Sequence, residues 1–266
     1  MKPKTIFLRA ALRLGATLGQ PLLAIIARLA NMSLGKGFGA TTLRLEVKTI
    51  HEFCKNHDIS ISNIVDVGGN IGAYSHELRI HFPDAKIIAF EPSTAAGEIF
   101  SNRFATDPEV TLVQSAVGRM EGTATLYSDF ESSGLASLTN RRLDHFGIEF
   151  VNSQEVQVIT LDGWFNKNEI LPDFIKIDVE GHELDVLMGG ENVVSRTKII
   201  QFEFGGCNID TRTFFQDFYY YFKDAGFQLF RISPNGLVSI KKYSEEDEYF
   251  ATTNYLAVNT RLVEKI

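Results

Sequence analysis

The chain has 266 residues, with 33 acidic against 26 basic side chains and a formal charge of −7, a balance that disfavours nucleic acid or another polyanion as partner. Hydrophobic residues make up 44% and charged residues 22%, the composition of a soluble globular protein long enough for one large domain and a short extension. Cys54 and Cys207 are the only cysteines, which excludes a disulfide framework and a cysteine-based zinc site and fits a reducing cytoplasm.

Residues 1–40 form a separate segment, an N-terminal helical extension to the main domain at 41–266. Apolar residues Ile6, Phe7, Leu8, Leu12, Leu14 and Leu18 and the run Leu22 to Ala27 are interrupted by Arg9, Arg13 and Arg28. The longest uncharged run, Leu14–Ala27, falls short of the ~20 residues that span a bilayer and contains Pro21 and two glycines. No small-x-small cleavage pattern follows the apolar stretch. The expectation is a pair of helices packed against the main domain, with peripheral membrane contact through an amphipathic face as the alternative.

Leu43, Leu45, Val47, Ile50 and Phe53 recur at helical spacing and lead into the apolar run Ile64-Val65-Asp66-Val67, a buried strand. Gly68-Gly69-Asn70-Ile71-Gly72 then makes a tight turn into a helix that stops before Pro83. Lys86–Phe90 is a second strand; Ser93 or Thr94 caps the next helix, and Val110–Val113 is a third strand. Strands alternating with helices predict parallel, right-handed βαβ units. Gly122–Tyr127 reads as an edge strand or hairpin arm, and residues 128–147 as a long polar loop of the kind that often serves as a lid. Val156–Ile159 alternates into Thr160, a helix cap. The winding resumes with Asp173–Asp178, the turn Val179–Glu183 and a short helix, then the strand Lys198–Phe202. An aromatic-rich helix spans Thr213–Ala225; its Phe214, Phe215, Phe218, Tyr219 and Phe222 fall at core spacing. Strands at 227–232 and 236–240, joined by Ser233-Pro234-Asn235-Gly236, form a hairpin at one sheet edge, and a last strand covers 255–258.

Four carboxylates end predicted parallel strands: Asp66, Glu91, Asp178 and Glu203. In a doubly wound sheet these ends share one crevice, where ligands bind. Glu91 stands 25 residues after Asp66, where an acid suits a ribose diol, because a carboxylate accepts two hydroxyl hydrogen bonds. A dinucleotide fingerprint needs glycine where Asn70 stands, and an acid heading the turn repels a pyrophosphate. S-adenosylmethionine, with a sulfonium and an α-amino group, has no such conflict. An NAD- or nucleotide-sugar-dependent enzyme and a catalytically degenerate binding protein are the competing readings.

These segments resemble the FkbM-type class I methyltransferases. The resemblance rests on Asp66–Gly72, Phe90-Glu91-Pro92, Ser115-Ala116-Val117-Gly118, Ser137-Leu138 and Ile175–Glu183, and covers roughly residues 45–240. It implies a Rossmann-like, doubly wound, mostly parallel seven-stranded α/β sheet and methyl transfer from S-adenosylmethionine, usually to a hydroxyl, here of a sugar, glycan or small natural product. By position, Asp66, Gly68, Asn70 and Gly72 would line the methionine and ribose end, Glu91 would hold the ribose hydroxyls, and Ser115 and Ala116 would border the adenine. Asp178, Glu180 and His182 would face the acceptor.

Aligning the acceptor oxygen and excluding water is the main catalytic task in such a transfer. An alcohol must also lose a proton, for which His182 or Asp178 could serve as base. Ser137 of the long loop, Glu203 and Asn208 are expected to shape the acceptor pocket. Asp178, Glu180, His182 and Glu203 have oxygen and nitrogen ligands that suit a divalent cation, but their spacing is not diagnostic and no metal is assigned.

Overall fold

A computed structural model describes residues 19–39 and 43–264. Two helices, α1 (Gln20–Ser33) and α2 (Leu43–Asn56), precede the first strand, β1 (Asn63–Val67). There follow α3 (Ala73–His81), β2 (Lys86–Phe90), α4 (Thr94–Arg103) and β3 (Val110–Val113). A middle region holds β4 (Ala116–Val117), β5 (Gly122–Ser128), β6 (Asn152–Ile159) and α5 (Leu161–Asn168). The main winding continues through β7 (Phe174–Ile177), α6 (Glu183–Met188), α7 (Glu191–Ser195), β8 (Ile199–Phe204), α8 (Cys207–Thr211) and α9 (Phe215–Asp224). Strands β9 (Phe227–Ser233), β10 (Gly236–Ile240) and β11 (Thr253–Asn259) complete the fold.

The main sheet runs β10-β9-β11-β8-β7-β1-β2-β3. Neighbours from β8 to β3 pair in parallel, and β11 is antiparallel to both β8 and β9. This is the doubly wound α/β arrangement, with eight strands where seven are expected. The extra strand is the hairpin arm β10, which pairs antiparallel with β9 and lengthens the edge. Gly122–Tyr127 is an edge strand, as read, but of a second sheet. It belongs to β5, which joins β6 and β4 in a separate three-stranded sheet.

The inner parallel strands β1, β2, β7 and β8 are buried on both faces, which is why they read as apolar runs, whereas β3 at the sheet edge is only partly buried. Val65, Val67, Ile175, Ile177, Ile200 and Phe202 join one core layer with α9. Ile64, Ile87, Phe174 and Ile199 join the other, with Val47 and Ile50 of α2. The α9 stripe is core, as its spacing predicts, except for Phe214, which stands at the N-cap and is exposed: Phe218 and Phe222 stack on Phe202, and Phe215 meets Tyr255. Truncating Phe218, fully buried, to alanine costs about 3–5 kcal/mol by the usual cavity penalty.

The expected packing of residues 1–40 is not what the structure shows for α1. None of its residues is buried, and hydrogen bonds tie the chain to the domain from Leu34 onward. Residues 1–18 lie outside the described residues. No helix among the described residues is long and apolar enough to cross a membrane.

Candidate active site

The parallel strands deliver two turns to one rim. The first, after β1, is Gly68–Gly72. Gly68 and Gly69 donate to the Phe90 carbonyl at 2.9 and 3.0 Å, tying the turn to β2. Gly68 has φ +83°, and a Cβ there would lie 1.8 Å from the Asp178 carbonyl oxygen, so the two turns touch through a position only glycine can occupy. Asn70 sits at φ 44°, a conformation uncommon outside glycine, and is held from three sides. Its amide N–H donates to Glu91 Oε2 at 2.8 Å, its Oδ1 accepts from the Ile71 N–H, and its Nδ2 donates to the Ser133 carbonyl at 3.0 Å.

The second turn, Asp178–His182, follows β7. Glu180 also has positive φ, at 55°. Glu183, fully buried, accepts the Val179 and Gly181 N–H groups at 3.0 Å each and fixes the turn's shape. His182 caps α6 and is gripped at both ring nitrogens: Nδ1 lies 3.0 Å from Asp185 Oδ2 and Nε2 lies 2.9 Å from Thr139 Oγ1. Ionised Asp185 only accepts, so the neutral ring carries its proton on Nδ1 and Nε2 accepts from the Thr139 hydroxyl.

Residues 129–143 lie across these turns as a strap. Ser93 Oγ donates to the Glu131 carbonyl at 2.8 Å, and Ser137 Oγ donates to the Glu180 carbonyl at 2.8 Å. Arg141 pairs with Glu180 and, at 3.2 Å, with Asp210. Beneath the strap is a cleft ordered along its length. Phe90, Pro92, Val117 and Leu126 line it with Ser115 and Ala116; Glu91, Gly68 and Asn70 line its middle; Ser137, Asp178, Glu180 and His182 line its acidic end.

Most of the expected site residues therefore meet in one cleft, but four do not line it. Asp66 has a fully buried side chain behind the glycine turn, accepting from Ser75 Oγ at 2.6 Å and lying 3.2 Å from Lys176 Nζ. Gly72, at φ +79°, closes the turn against Phe100 and Phe104. Asn208 is fully buried, and its amide is spent on the Gly205 N–H and, at 3.4 Å, on Glu183. Glu203 sits within β8, with a carboxylate oxygen within 4.8 Å of those of Asp178 and Glu180.

The cations that balance these acids were not singled out by sequence reasoning. Lys176, only 4% exposed in mid-strand, bridges Asp66 and Asp178 at 3.2 and 3.5 Å, donates to the Gly68 carbonyl and lies over the Tyr74 ring. A lysine inside an apolar strand was the available signal, because such a group is buried only when paired. Burial works against its charge, but Asp66 and Asp178 outweigh that and hold it protonated well above the usual lysine range. Burial, then Asp178, pushes the Glu180 carboxyl up to about 8 against the pull of Arg141. Burial and the neighbouring acids raise Glu203 as well, and burial raises Glu91.

Residues 66–229 match the methyltransferase FkbM domain, well over half of the chain. Methyltransferase 1 of Beauveria bassiana is 28% identical over 169 residues, covering 55% of this chain and 68% of that protein. The hexuronic acid methyltransferase AglP of Haloferax volcanii is 27% identical over 51% of this chain and 52% of its own length. The 2-O-methyltransferase NoeI of Sinorhizobium fredii is 23% identical over 53% and 62%. The match thus spans about half to two thirds of the length of these last two relatives. With the doubly wound sheet and its glycine turn, the matched domain shows that the chain belongs to the FkbM methyltransferase family, whose methyl donor is S-adenosylmethionine.

Proposed function

We propose that the protein is an S-adenosylmethionine-dependent O-methyltransferase acting on a hydroxyl of a sugar, a glycan or a small natural product. One observation carries the hydroxyl reading: a histidine oriented by a carboxylate, lining the cleft, with its free nitrogen already against an alcohol. AglP and NoeI, named for methylating a hexuronic acid and a 2-hydroxyl, support the acceptor class. The two buried free thiols, Cys54 and Cys207, fit a reducing cytoplasm.

The cleft suits the donor in its own chemistry. Its apolar end, with Ser115 and Ala116, takes an adenine; Glu91 takes the ribose diol. Each Glu91 oxygen already accepts one backbone N–H, from Asn70 or Ser93, and a carboxylate oxygen has a second lone pair to offer. Gly68 and Asn70 of the first turn, which line the cleft beside Asp178, take the methionine end. When bound, S-adenosylmethionine supplies a methyl group on a sulfonium that needs no further activation.

What remains for the protein is orientation and one proton. Asp185 holds the Nδ1–H of His182, so Nε2 is the basic nitrogen and lies where an acceptor hydroxyl replaces that of Thr139. His182 takes the acceptor's proton as the oxygen–carbon bond forms, and Asp185 stabilises the imidazolium. The strap over the cleft, latched through Ser133, Ser137 and Arg141, excludes water from that step. The test is transfer of labelled methyl to a panel of uronic acids, oligosaccharides and small alcohols. Transfer to an acceptor hydroxyl, lost in His182→Ala, is expected. Label appearing on nitrogen or carbon, or undiminished transfer by His182→Ala, overturns the reading.

A further inference from the structure

Helix α1 presents an apolar face to solvent. Leu22, Ile25, Ile26 and Leu29, at i, i+3, i+4 and i+7, lie on one side and are 43–59% exposed. A helix in this position, with no buried residue, is not held by the core of the domain. The segment after it is fastened firmly. Arg231 Nε donates to the Leu34 carbonyl at 2.7 Å, Gly37 N–H donates to Thr253 Oγ1 at 2.9 Å, and Gly39 N–H to the Thr252 carbonyl at 3.0 Å. Thr253 pairs with Phe204, the last residue of β8, so the tether sits on the rim where the parallel strands end and the cleft opens.

Charge is divided unevenly along the chain. Residues 1–45 contain Lys2, Lys4, Arg9, Arg13, Arg28, Lys36 and Arg44 and none of the 33 acidic residues, the first of which is Glu46. This stretch is therefore +7 within a chain of −7, and everything after it is −14. An acidic body alone is repelled by an anionic surface, whereas a basic segment joined to an exposed apolar face is attracted to one. Arg28, off the apolar stripe and on the same helix, can lay its aliphatic stem along the interface and keep its charge at the headgroups.

We propose that α1 docks the protein on an anionic lipid bilayer, its Leu22–Ile25–Ile26–Leu29 face entering the interface and the basic surplus of the N-terminal sequence supplying the attraction to the headgroups. Docking there brings to the bilayer the rim of the sheet on which the cleft opens. A second copy of this chain is the competing occupant of the apolar face.

The experiment is co-sedimentation of the full chain with vesicles of phosphatidylcholine alone and of an equal mixture with phosphatidylglycerol. Binding to the mixed vesicles is expected, weakened at high salt as charges are screened. Ile25→Glu with Leu29→Glu should lower the partition coefficient at least tenfold. Replacing Lys2, Lys4, Arg9 and Arg13 by glutamine should remove the preference for the anionic mixture. Both variants should bind S-adenosylhomocysteine as the parent does, which also shows that they are folded. Ile25→Trp should shift its emission to the blue on addition of mixed vesicles. Equal binding to both vesicles, no binding to either, or a concentration-dependent dimer that the glutamates abolish in place of vesicle binding overturns the proposal.

Discussion

Lys176→Met is the perturbation that most sharply tests how the site is built. The ammonium lies 3.2 Å from Asp66 and 3.5 Å from Asp178, and also holds the Gly68 carbonyl at 3.1 Å. At an effective dielectric of about 20, each ion pair is worth roughly 5 kcal/mol of gross attraction, most of which is cancelled by desolvation. The two acids respond differently when the lysine goes. The Asp178 side chain is 35% exposed and can turn to water, whereas that of Asp66 is 0% exposed and keeps only Ser75. The loss is therefore dominated by one uncompensated buried carboxylate, about 3–5 kcal/mol. For a domain of this size that lowers Tm by roughly 6–20 °C. Thermal unfolding followed by circular dichroism measures it. Adding Asp66→Asn should recover at least half of the loss, because the neutral pair leaves no buried charge. A single variant melting within about 2 °C of the parent, or a double variant no better than the single, refutes the reasoning.

Three further outcomes follow from the same geometry. Glu91→Gln keeps the shape of the side chain but not its charge, and should weaken S-adenosylhomocysteine binding by about 10- to 100-fold, since hydrogen bonds to a charged group contribute about 1.5–3 kcal/mol; calorimetry giving unchanged affinity would remove its ribose role. His182→Ala should lower kcat by about 10²–10⁴-fold with little change in S-adenosylhomocysteine affinity, and Asp185→Asn should lower kcat less while altering the pH profile, which a purely structural Asp185 would not do. The Glu180 carboxyl, raised by burial from 4.5 to about 8, favours the folded state while protonated, and that contribution is lost as pH rises across this interval. Urea midpoints should fall from pH 5 to pH 8, and Glu180→Gln should flatten the slope in part, because Glu91, Glu183 and Glu203 are raised in the same direction. A slope unchanged in Glu180→Gln contradicts the assignment.

How far the sequence could carry these conclusions depended on whether the signal was local. The glycine turn, the apolar strands and the helix caps are local: the structure places Thr160 as read, accepting from Gly163, and of the two candidates Ser93 and Thr94 it is Ser93 that caps, accepting from Ala96. Side-chain direction at a strand end is not. Asp66 alternates with Val67, and a shift of one residue separates the cleft from the face occupied by Lys176 and Gln201. Asn208 read as a pocket residue because its turn follows β8, but only the folded neighbourhood shows Glu183 taking its amide. Thr139 and Arg141 reach the site from a polar loop with no periodicity. Their partners, His182, Glu180 and Asp210, lie some forty or more positions away, a separation no short-range pattern encodes. Asp185 was within reach, since a carboxylate three residues after a histidine at a helix start falls beside it.

The cleft between the glycine turn and the strap is proposed as the binding site of the adenosyl methyl donor. Calorimetric titration of the full chain with S-adenosylhomocysteine, in parallel with NAD, tests it most directly. One saturable site for S-adenosylhomocysteine, weakened by Glu91→Gln, and no detectable heat of binding with NAD are expected. Folded protein that binds NAD in preference, or binds neither, contradicts it.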